Sequence, residues 1–234
     1  MADSRLIDLS GVQADDPEDE AAFYFDIGDP ECWLAAERVI QTLGRPAPWV
    51  PVLTGATDSG GRDGTAPPAP PAPGGDARRP GSRAGFPRAG EPNGRGHAGA
   101  DYLSHADVER IAAERGLLAF KPTEAPQSGI REVALAATYA KQAGKVVAFT
   151  LAAMRQCWCG GRDLNDRSTL LLAGAAAEIH PNALEKAFEL KSLNAELDRQ
   201  LERAAAYGID RVPAVRIGRK VYFGDGGVDE AAVK

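Results

Sequence analysis

Cysteine is scarce in this 234-residue chain, which carries only Cys32, Cys157 and Cys159. An odd, small number of thiols over such a length excludes a disulfide framework and fits reduced cysteines in a reducing compartment. Basic charge is also in deficit. The 27 Lys and Arg against 33 Asp and Glu leave a formal net charge of -6, so no positive field is present to hold a phosphate backbone, and nucleic acid is excluded as an expected partner. No apolar run approaches the ~20 residues of a membrane span, and the N-terminus shows no basic segment followed by an apolar one. The expected location is therefore cytoplasmic, with no membrane partner. Histidine is rare too: His97, His105 and His180 form no constellation. Cys157-Trp158-Cys159 is too closely spaced for a zinc knuckle, so no metal is expected.

What is present is an apolar share of 44%, enough for a globular fold of one or two domains. The composition breaks sharply between about Gly55 and Ala100, where Gly, Pro, Ala and Arg dominate and Phe86 is the only large apolar residue. Such a segment cannot bury enough apolar surface to offset its ordering entropy and is expected to be disordered. The N-terminal residues 1–20 form an acidic tail ending in Asp15-Asp16-Pro17-Glu18-Asp19-Glu20.

Periodicity organises the remainder. Ala21 to Ile27 reads as a strand, Pro30 to Leu43 as a helix closed by Gly44, and Trp49 to Leu53 as a second strand, giving a βαβ unit. Ser104 is placed to cap a helix running to Arg115 and ending at Gly116. Helical tracts are expected from Ile130 to about Cys157, Asn165 to His180, Asn182 to Leu190 and Leu193 to Tyr207. In the last, Leu193, Leu197, Leu201 and Ala204 make one buried stripe. Val212 to Gly224 alternates around a glycine-containing turn and predicts a β-hairpin, followed by a short helix from near Val228. His180, before Pro181, is expected at a helix C-terminus, where its positive form is favoured.

Chemistry is most legible at Phe23-Tyr24-Phe25-Asp26-Ile27-Gly28-Asp29-Pro30-Glu31-Cys32-Trp33-Leu34, where an apolar strand runs straight into a helix. Asp29 reads as the N-cap and Pro30 as the first helical residue. Unpaired N–H groups and the helix dipole stabilise an anion at such a terminus, which should lower the Asp29 pKa. Two readings of Asp29 stand: a cap worth roughly 1 kcal/mol over Ala, or a general base toward a thiol or carbon acid. Cys32 falls one turn inside the helix with Asp29 and Glu31 nearby, both opposing a thiolate, so an inert packed thiol is favoured. Trp158 serves equally as core packing or as a wall of a hydrophobic pocket.

The element order is βαβ, a helical insertion, a helix, Val-Pro, two strands and a final helix. Together with Phe23-Tyr24-Phe25-Asp26 before x-x-x-Pro-x-x-Trp-Leu-Ala, with Asp107 to Ala112, Gly161 to Asp166 and Gly208-Ile209-Asp210-Arg211-Val212-Pro213-Ala214-Val215, this order resembles the DsbA-like thioredoxin-fold family. The resemblance is to its branch of 2-hydroxychromene-2-carboxylate isomerase and kappa-class glutathione transferase. It implies an α/β thioredoxin-like fold with an inserted α-helical domain and a long disordered loop. The thioredoxin-like part would comprise 21–54 and 191–234, the disordered insertion 55–100 and the helical insertion 101–190. It also implies a cis peptide between Val212 and Pro213.

On the same resemblance, Asp29 and Cys32 occupy the catalytic positions and Val212 and Pro213 those that hold glutathione, while Gly226 takes the place of the branch's aspartate and Asp225, one residue earlier, is the candidate to compensate for it. Pro30, Trp33 and Trp158 line a substrate pocket. The implied activity is a glutathione-linked isomerisation or transfer on a small aromatic or hydrophobic molecule. A small molecule or a peptide in the cleft is the implied partner, and a homodimer is compatible with it. The departures are specific. Redox relatives open the helix with Cys-Pro-x-Cys and the glutathione branch with Ser-Pro, where this chain has Asp29. No Asn lies between Leu117 and Ala140, which offers Gln127, Ser128 and Gly129 instead, and the turn after the last strand reads Phe223-Gly224-Asp225-Gly226-Gly227. A thioredoxin-fold binding protein without thiol chemistry is thus the alternative, and thiol–disulfide exchange a third reading resting on family membership only.

Overall fold

Alternating residues of one apolar strand build the centre of this molecule. The computed structural model describes residues 20–53, 103–123 and 127–233, all within one unit spanning 1–56 and 101–234. The acidic tail up to residue 19 and the 55–100 segment, with the disorder expected there, lie outside the described residues. Strand β1 (Ala21–Phe25) is flanked by β2 (Trp49–Pro51) and β3 (Ala214–Ile217), and β4 (Lys220–Phe223) closes the order β2-β1-β3-β4. β1 runs parallel to β2 and antiparallel to β3, with Phe23 opposite both Trp49 and Val215. Phe23, Phe25 and Trp49 pack ring against ring at 5.0 to 5.8 Å, while Ala22 and Tyr24, by alternation, face the other side of the sheet.

The helices are α1 (Pro30–Ala36), α2 (Val39–Leu43), α3 (His105–Glu114), α4 (Arg131–Gln142), α5 (Val146–Trp158), α6 (Arg167–Ala176), α7 (Pro181–Ala187), α8 (Lys191–Ala206) and α9 (Gly224–Ala232). This is the thioredoxin-like architecture with a helical insertion, α3 to α7, between β2 and α8. α4 and α8 lie against β2, α9 returns against β3 and β4, and α1 packs on α3, α5 and α9. Among the described residues no helix is long and apolar enough to cross a membrane.

Four local readings change. The expected helix from Pro30 to Leu43 is broken at Glu37 and Arg38. Glu37 turns to receive the Trp33 indole N–H and Arg155, while Arg38 reaches Asp225 and Asp229. The tract from Ile130 to Cys157 is two helices, split where Gly144 takes φ +70° and the Lys145 N–H donates to the Ala140 carbonyl at 2.7 Å. The last helix begins at Gly224, directly after β4, and not near Val228. His180 is the N-cap of α7 and not a helix C-terminus: its Nδ1 accepts the Asn182 N–H at 3.2 Å.

Candidate functional site

The turn from β1 into α1 carries three carboxylates within six residues, Asp26, Asp29 and Glu31, all buried. Asp29 is the N-cap in extended geometry (φ -105°, ψ 122°), and its Oδ1 accepts the N–H groups of Glu31 at 2.8 Å and Cys32 at 3.0 Å. Both capping bonds go to one oxygen. Oδ2 has no hydrogen-bond partner among the described residues. Contrary to the expectation of a lowered pKa, Asp29 is pushed up to about 7. Burial is the largest cause, with repulsion from Asp26 and Glu31 added, and it outweighs the amide bonds that favour the anion.

Cys32 is fully buried, and its thiol pKa is raised well above the ordinary value, first by burial and then by Asp29. Its sulfur accepts the Asp26 N–H at 3.5 Å, which makes it a packed thiol one turn behind the cap. Cys157 is also held up, to about 12, by burial.

The far end of the chain closes the site. The Val212-Pro213 peptide is cis. The Gly224 N–H donates to the Pro213 carbonyl at 2.8 Å, and the next amide, Asp225 N–H, donates to the Glu31 carboxylate at 2.8 Å. The proline loop, the start of α9 and the start of α1 are thereby joined. Gly224 sits at φ +77°, a conformation strained for any residue with a side chain, and a Cβ there would come 2.9 Å from Glu31 Oε1 and displace that carboxylate. Val212 itself is buried. The Asp225 carboxylate is held by the guanidinium groups of Arg38, at 3.1 Å, and Arg115. It is committed to tying α3 and α9 to the α1–α2 junction.

Gln127 to Gly129, the stretch found in place of the Asn, lies on the β1–α1 turn. Ser128 Oγ donates to the Gly28 carbonyl and the Gly129 N–H to Asp26 Oδ2, each at 2.8 Å. Gln127 Oε1 accepts the Leu164 N–H at 2.6 Å. The fit is so close that a Cβ on Gly28 would stand 1.9 Å from the Gln127 carbonyl oxygen.

Trp33 and Trp158 are both buried, with their indole N–H groups donating to Glu37 at 3.0 Å and the Ile27 carbonyl at 3.1 Å. Pro30 is half-buried. The structure brings the two tryptophans together, but around a third ring: Phe120 stacks on Trp33 and on Trp158, each at 6.0 Å between centroids. Phe120 and Asp26 are the residues that sequence reasoning passed over. Phe120 sits in a stretch without helical or strand period, and Asp26 gave a signal only as a lone acid at the end of an apolar strand. Among the described residues no group of three His, Cys, Asp or Glu is placed to hold a metal.

The sequence model of the DSBA-like thioredoxin domain matches residues 93–233, which include the proline loop and α9. The chain belongs to this family. The matched segment begins after Asp29 and Cys32, so the family assignment rests on the insertion and the C-terminal half. Solved structures show the same fold. A 2-hydroxychromene-2-carboxylate isomerase superposes with a TM-score of 0.59 at 14% identity, covering 88% of this chain and 89% of that one. A probable DsbA oxidoreductase from Streptomyces coelicolor gives a TM-score of 0.61 at 14% identity, covering 92% and 88%. Likeness at such identity speaks for the fold alone. Comparison with curated proteins finds none that matches.

Proposed function

We propose that this DsbA-like chain is an acid–base catalyst of the isomerase type, acting on a small aromatic or hydrophobic molecule, with Asp29 Oδ2 as the proton-carrying atom. One observation carries the reading: among the described residues the cap is made by Oδ1 alone and Oδ2 has no partner, while burial brings the same carboxyl to about 7. A group half-protonated near neutral pH can remove a proton from one substrate atom and return it to another, which is the balance an isomerisation requires. A carboxyl held at its ordinary pKa would be a far weaker base.

Thiol exchange has little to support it. Cys32 is buried with its thiolate opposed, and an aspartate stands where redox relatives place the attacking sulfur. Glutathione, which the family branch implies, does not fit the residues present. A thiolate at this turn would meet three buried carboxylates, Val212 is covered, and the Asp225 carboxylate is already held by two arginines. No step is therefore routed through it. A second reading, a binding protein without catalysis, is favoured by Phe120 filling the slot between Trp33 and Trp158.

The test is conversion of 2-hydroxychromene-2-carboxylate followed by ultraviolet absorbance, with and without glutathione. Turnover is expected without glutathione, with an apparent pKa near 7, and Asp29→Asn, which can still cap, should lower the rate by about 10²–10⁴. An unimpaired Asp29→Asn rate would reject Asp29 as the proton carrier, and a wild-type chain inert toward this substrate would favour the binding reading.

A further inference from the structure

A groove of about 330 Å³ lies between α2, the 45–48 connection into β2 and the first turn of α5. Its volume is within the ~300–1,000 Å³ of pockets that hold small molecules. Buried Val39, Leu43 and Trp49 line it together with Val147 and with Ile40, a large apolar side chain that is 54% exposed. None of Asp29, Cys32, Trp33, Val212 or Pro213 takes part in it.

One charge stands in this apolar setting. Gly44, at φ +60°, ends α2, and the chain turns through Arg45, which is half-buried and lines the groove. Arg45 has no hydrogen bond, ion pair or ring contact among the described residues, and among them no carboxylate lines the groove to answer it. A guanidinium carries five N–H donors, whereas Pro46 and Pro48 beside it have no amide hydrogen to offer. Polar recognition in the groove therefore falls to a single cation. Apolar surroundings screen its charge less than water does, so an anion with an apolar body gains both a charge-assisted hydrogen bond and buried surface there.

We propose that this groove binds a free aliphatic monocarboxylate, with the carboxylate on Arg45 and the chain against Ile40, Leu43, Val147 and Trp49. One guanidinium matches the two oxygens of one carboxylate, while a phosphate would keep an oxygen without a donor. Branched aliphatic walls suit a flexible chain over a flat ring, and each methylene buried against them adds about fourfold in affinity. The site is independent of the Asp29 chemistry.

Octanoate, hexanoate and the neutral 1-octanol test it by isothermal titration calorimetry on the full chain. Saturable octanoate binding is expected, with 1-octanol about tenfold weaker and hexanoate, two methylenes shorter, weaker by about tenfold as well. Arg45→Gln should weaken octanoate by about tenfold and leave 1-octanol unchanged. Ile40→Ser, at a side chain more than half exposed, leaves the fold intact and should weaken both ligands, while Asp29→Asn leaves octanoate binding unchanged. No saturable octanoate binding, wild-type octanoate affinity in Arg45→Gln, equal affinity for octanoate and 1-octanol, or loss in Asp29→Asn would overturn the proposal. So would a dimer in sedimentation velocity that Ile40→Ser dissociates, since a second copy of the chain would then be what covers the groove.

Discussion

Replacing Asp29 by Asn should remove most of one pH dependence of stability, and the size follows from its burial. The ordinary carboxyl value of 3.8 describes the unfolded chain, and burial brings the folded group to about 7. The folded state therefore binds the extra proton between these values, so stability is complete below pH 4 and is lost as pH rises toward 7. At ~1.4 kcal/mol per pH unit, the ionised folded form is penalised by about 4 kcal/mol above pH 7. Asn keeps the cap through its side-chain oxygen and has no charge to desolvate. Urea unfolding at intervals from pH 4 to pH 8 should show the wild type losing about 2–4 kcal/mol relative to Asp29→Asn. The two proteins should be similar near pH 4, and Asn the more stable at pH 8. Glu31, also raised by burial, adds a slope of the same sign to both, which the difference cancels. Parallel curves for the two proteins would mean that Asp29 is solvated and ionised, and the acid–base proposal would lose its physical basis.

Other outcomes follow from the packing. Gly28→Ala drives a methyl group into the Gln127 carbonyl; overpacking and the strained Ser128 and Gly129 bonds should cost about 2–4 kcal/mol in urea, and an unchanged midpoint would show that the 127–129 stretch does not dock on the turn. Asp225→Ala leaves Arg38 and Arg115 facing an empty site, a loss of about 2 kcal/mol since both arginines retain some solvent. Asp225→Asn should recover part of it, and a neutral Ala variant would show the pair to be solvated. Iodoacetamide should reach half-buried Cys159 first and buried Cys32 only on unfolding; mass spectrometry of the labelled peptides reads the order, and early Cys32 labelling, or catalysed insulin reduction, would contradict an inert thiol.

Several features were legible because they depend on near neighbours. Asp29 before Pro30 marks a cap, Ser104 reaches the Asp107 amide three residues on, and the alternation of β1 separates Phe23 and Phe25 from Tyr24. Breaks within apolar helical stretches were not legible. Val39 and Leu43 continue the buried stripe of α1 across Glu37 and Arg38, so periodicity runs through a break that distant partners, Arg155, Asp225 and Asp229, hold open. Gly144 was a visible signal for the α4–α5 split. The start of α9 was not signalled, since Gly224-Asp225-Gly226-Gly227 reads as a turn. There the Asp225 N–H is satisfied by Glu31, nearly two hundred residues earlier.

By itself the sequence determined the strands, most of the helices, the capping aspartate and the Val-Pro loop, because these follow from interactions within a few residues. Only the tertiary structure decided that the Asp29 carboxyl is pushed up to about 7 and that Phe120 stands between the tryptophans. Desolvation and charge crowding depend on which remote segments converge, and no local pattern encodes that convergence.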